Sequence, residues 1–109
     1  MNKNILLELS KNLNIEYEIG IWSETTDFLE RQDNIVDFSV DYEQGHFNIV
    51  IELKEFDLPG AKSIFASLVQ FIEYKSTFYV REDKKDSCVY HLLSSMDNKK
   101  AFLCYIVIK

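Results

Sequence analysis

The chain has 109 residues, 47% of them apolar and 14% aromatic, with three Gly and one Pro. That composition excludes a disordered tail and fits a single domain, 1–109, with its own core. The formal charge of −6 is concentrated: between Asn12 and Leu53 ten carboxylates stand against one basic residue, Arg31, while the rest of the chain sets eight acidic residues against eleven Lys or Arg. An acidic segment of this kind attracts cationic partners and disfavours direct binding to nucleic-acid phosphates.

Residues 3–13 read as a helix, because Ile5, Leu6, Leu9 and Leu13 recur at helical spacing. The pattern then turns to period two, Ile15, Tyr17, Ile19 and Ile21 against Glu16, Glu18 and Trp22, which predicts a first strand over 15–22. Residues 23–34 are polar, and the spacing of Asp27 and Glu30 suggests a short helical turn near 28–32. The clearest alternation comes next. Val36, Phe38, Val40 and Tyr42 on a strand 35–43, and Phe47, Ile49, Ile51 and Leu53 on a strand 46–56, flank Gln44-Gly45. Burial of one face requires an even-length loop, which sets Tyr42 opposite Phe47, Val40 opposite Ile49, Phe38 opposite Ile51 and Val36 opposite Leu53.

Asp57 is a good N-cap, and Pro59 suits a first turn, for a second helix over 58–75 with the apolar stripe Ala61, Ile64, Phe65, Leu68, Phe71 and Ile72. Strands follow at 77–82, 88–94 and 101–109, the last apolar enough to be central in the sheet. Cys88 and Cys104 lie in these runs and are expected as buried thiols, since two cysteines make no disulfide framework. The expected fold is α+β: a mainly antiparallel sheet of about six strands, two helices packed on it, in the order αβββ-αβββ. Neither a secretory leader nor a membrane span of ~20 apolar residues is recognisable, so a cytoplasmic protein is expected.

The residues with functional potential are mostly acidic. Asp37, Asp41, Glu43 and Glu52 fall on the non-core face of the 35–43/46–56 hairpin, with Glu16 and Glu18 expected nearby. As a docking surface for a basic protein, these carboxylates would steer encounter, and Trp22, Tyr17 and Phe28 would supply aromatic anchors. His91 and Cys104 would meet as a nucleophile–base pair if the last hairpin turns about Asp97-Asn98. Lys84, Lys85, Lys99 and Lys100, in two turns, are expected at one end of the sheet. No phosphate-cradling Gly loop, Ser nucleophile elbow, calcium loop or zinc spacing is present, so no cofactor is expected and an enzyme is disfavoured.

Three resemblances bear on function. The run Ile49-Val50-Ile51-Glu52-Leu53-Lys54, with Asp37 opposite Glu52, resembles the PD-(D/E)xK nuclease motif. That resemblance implies Asp37 and Glu52 holding Mg²⁺, Lys54 at the attacking water or scissile phosphate, and Glu8 as an additional acid. Residues 3–94 can be threaded on the αβββαββα order of type III secretion chaperones, implying a small, acidic, dimeric binding protein. In overall character, a compact acidic sheet domain without a catalytic motif, the chain resembles the bacterial immunity proteins that neutralise nuclease toxins. That implies an antitoxin-like inhibitor, monomeric or dimeric, covering the cationic cleft of a toxin or other nucleic-acid-processing enzyme.

Overall fold

The structure is a computed structural model and describes residues 15–43, 46–72, 78–96 and 99–109. The expected helix 3–13 lies outside the described residues. The elements are α1 (Ile15–Glu30), β1 (Ile35–Glu43), β2 (His46–Leu53), α2 (Leu58–Ile72), β3 (Phe78–Lys84), β4 (Ser87–Met96) and β5 (Lys99–Ile108). They form an α+β fold with one five-stranded sheet, order β1-β2-β5-β4-β3.

The strand expected over 15–22 is the first half of a helix. Ile21, Thr25 and Leu29 recur every four residues and are all buried, flanked by half-buried Ile19, Trp22 and Phe28. Thr25 hides this stripe in the sequence because it reads as polar, although it is fully buried and its hydroxyl has no hydrogen-bond partner. The turn expected near 28–32 is the C-terminus of this helix. There the Arg31 Nε donates to the Asp27 carbonyl at 3.1 Å and the Gln32 Nε2 to the Phe28 carbonyl at 3.1 Å, satisfying acceptors that a helix end leaves open. The one basic residue of the acidic stretch is therefore used as a cap.

The β1–β2 hairpin keeps the expected register from Tyr42–Phe47 to Phe38–Ile51, with Asp37 opposite Glu52. Val36, expected opposite Leu53, is instead the extra residue of a bulge: Ile35 takes the place opposite Leu53 and Val36 is 58% exposed. The bulge lets half-buried Ile35 join the core while Asp37 stays in step with Glu52.

Among the described residues the sheet has five strands rather than six, and it is mixed rather than mainly antiparallel, because β5 pairs parallel to β2, with Phe47 opposite Cys104 and Ile51 opposite Ile108. The bond from the Lys109 N–H to the Ile51 carbonyl (2.9 Å) and that from the Leu53 N–H to the Lys109 carbonyl (2.8 Å) extend this ladder. The other pairs, β3–β4 and β4–β5, are antiparallel. Among the described residues the order αββαβββ also departs from the orders that the nuclease and chaperone resemblances imply, because a helix occupies the place of their first strand.

One sheet face carries the core: Ile49, Ile51, Cys88, Leu92, Cys104, Ile106 and Ile108, each at most 1% exposed. Both described helices cover this face. Asp57 caps α2 by accepting from the Gly60 N–H, and Pro59 sits in the first turn, as expected. Ala61, Ile64, Phe65 and Leu68 point into the core, and Phe65 stacks on Tyr90 at 3.7 Å between centroids. Phe28 against Phe71 (5.9 Å) joins the two helices. Burial of such side chains stabilises the fold by about 1.5–3 kcal/mol each relative to exposure.

Gly20 is an exposed interior residue of α1, and an added Cβ there meets nothing within 4 Å. Gly20→Ala should raise stability by about 0.5–1 kcal/mol in denaturant unfolding. A loss would contradict the helix.

Candidate functional site

The sheet face opposite the helices is formed by the alternate residues of each strand. The registers arrange them in rows across β1, β2 and β5: Asp37–Glu52–Lys109, Ser39–Val50–Val107, and Asp41–Asn48–Tyr105. Val89 and His91 of β4 continue the last two rows, opposite Val107 and Tyr105. The face therefore has an acidic flank on β1–β2 and a centre of aliphatic and aromatic residues, where His91 meets the Tyr105 ring edge-on at 4.8 Å.

Asp37 and Glu52 are directly opposed and exposed. The Asp37 Oδ1 also accepts from the Phe38 N–H at 2.9 Å, which holds the carboxylate beside the bulge. Asp37, Phe38, Ser39, Val50, Glu52 and Lys109 line a shallow groove of ≈ 80 Å³. That is room for a few water molecules, well short of the roughly 300–1,000 Å³ of a small-molecule pocket. Two like charges set opposite one another destabilise a strand pair. The hairpin sets two carboxylates directly opposite one another, with Lys109 next to Glu52 in the same row.

The expected partner-binding residues divide between two places. Asp37 and Asp41 lie on this face, and Glu43 ends β1 opposite His46. Glu16, Glu18 and Trp22 belong to α1, in the helix layer on the other side of the sheet. Trp22 is half-buried and its indole N–H donates to the Val40 carbonyl at 3.2 Å, tying α1 to the edge strand rather than standing out as an anchor. Tyr17 and Phe28 are on the same helix, with Phe28 packed on Phe71.

The residues of the nuclease resemblance are partly brought together. Asp37 and Glu52 are neighbours, but Lys54 lies past the end of β2, where its N–H donates to the Asn34 carbonyl at 2.8 Å, and Glu8 lies outside the described residues. Among the described residues no group of three His, Cys, Asp or Glu side chains could hold a metal ion.

The His91–Cys104 pairing does not form. Cys104 lies opposite Leu92, and His91 opposite Tyr105, so thiol and imidazole are on opposite faces. Burial pushes the thiols of Cys104 and Cys88 up from their ordinary range, which removes the thiolate a nucleophile needs. The neighbouring Tyr90 phenol is likewise pushed by burial up to about 12. The four turn lysines also separate: the turns on either side of β4 lie at opposite ends of that strand, Lys84 and Lys85 at one and Lys99 and Lys100 at the other.

Sequence reasoning missed Lys109, Tyr105, Val107 and His91 as parts of the face. β5 is nearly all apolar, so no alternation marked which of its residues turn to which face, and the strand it joins was not visible either. No known protein family, curated protein or solved structure matches this chain.

The opposed carboxylates predict that Asp37→Asn stabilises the isolated protein by a few tenths of a kcal/mol, less in high salt, measured by urea unfolding at two ionic strengths. Cys88 and Cys104 should resist a thiol-specific reagent in the native protein and react rapidly in urea; fast native labelling would contradict their burial.

Proposed function

We propose that this protein is a small protein-binding inhibitor whose acidic sheet face covers a basic site on its partner, in the manner of the immunity proteins that neutralise nuclease-type toxins. The observation that carries the reading is the exposed Asp37–Glu52 pair, directly opposed across β1 and β2 beside Asp41 and an aliphatic–aromatic centre. Carboxylates kept against a local rule of strand pairing suit a surface selected for something other than stability. The cleft of an enzyme that binds phosphates is cationic, and an acidic face complements it in charge and accelerates encounter.

In this reading Asp37, Asp41 and Glu52 meet the partner, with Glu43 and His46 at the hairpin end. Val50, Tyr105 and His91 supply the contact that excludes water. The partner is a basic protein, a toxin or another nucleic-acid-processing enzyme encountered in the cytoplasm. Neither nucleic acid nor a cofactor is bound directly. The face is broad and its groove shallow, which suits a protein surface better than a small substrate.

The test is affinity capture from the native cell, eluted stepwise with salt. A basic, near-stoichiometric partner released at moderate salt is expected. Asp37→Lys with Glu52→Lys should weaken capture at least about tenfold without unfolding the protein. Retention by the double variant would sink the reading.

The adjacency of Asp37 and Glu52 also favours a second reading, a metal-dependent nuclease site. That reading predicts a rise in Tm with millimolar Mg²⁺ or Mn²⁺ that Glu52→Ala abolishes. No rise in the wild-type protein would remove it.

A further inference from the structure

We draw no further inference here: the strongest candidate, the apolar centre of the sheet face opposite the helices, formed by Val50, Val107 and the buried Val89, belongs to the site already described, and nothing among the described residues shows what else covers it.

Discussion

The parallel pairing of β2 with β5 is the constraint on which the rest of this molecule depends. Among the described residues it is the one ladder that joins the β1–β2 hairpin to the β3–β4–β5 meander. Parallel neighbours cannot be joined by a tight turn, so the chain leaves β2, crosses the core face as α2, and returns through two antiparallel strands before β5 closes beside β2. The fully buried Ile49 and Ile51 of β2 and Ile106 and Ile108 of β5 are the result, with the backbone of Lys109 extending the ladder past the last strand residue.

That single crossover also decides which surfaces remain available. Both described helices lie on the core face, so the other face is formed by the alternates of β1, β2 and β5, acidic at Asp37, Asp41 and Glu52 and apolar at Val50 and Val107. β1 and β3 become the two edges. Each edge then follows from its own residues: β1 has a bulge, carboxylates and an indole tied to its backbone, and β3 has exposed Tyr79 and Val80 followed by the charged run Arg81 to Lys84.

The groove of the acidic face is shallow, the buried thiols are on the other side, and His91 packs against Tyr105. What the face offers is two opposed carboxylates beside an aliphatic and aromatic centre. In the proposed function that combination meets a cationic protein surface, with carboxylates setting the approach and the centre supplying contact.

Sequence alone determined the features in which a local pattern coincides with burial. The β1–β2 register from Tyr42–Phe47 to Phe38–Ile51, the opposition of Asp37 and Glu52, the Asp57 cap of α2 and the central place of β5 all follow from period, parity and capping. It misread Ile15 to Trp22 because a short alternation there outweighed the four-residue spacing of Ile21, Thr25 and Leu29, whose middle member reads as polar, and only packing against β1 and α2 shows that Thr25 is buried. It could not show the bulge at Val36, which exists because Ile35 reaches the core, nor the separation of Glu16, Glu18 and Trp22 from Asp37 and Asp41. Strand order and helix placement were decided only by the tertiary structure, because they depend on which apolar faces bury one another across long separations, and no local spacing records that choice.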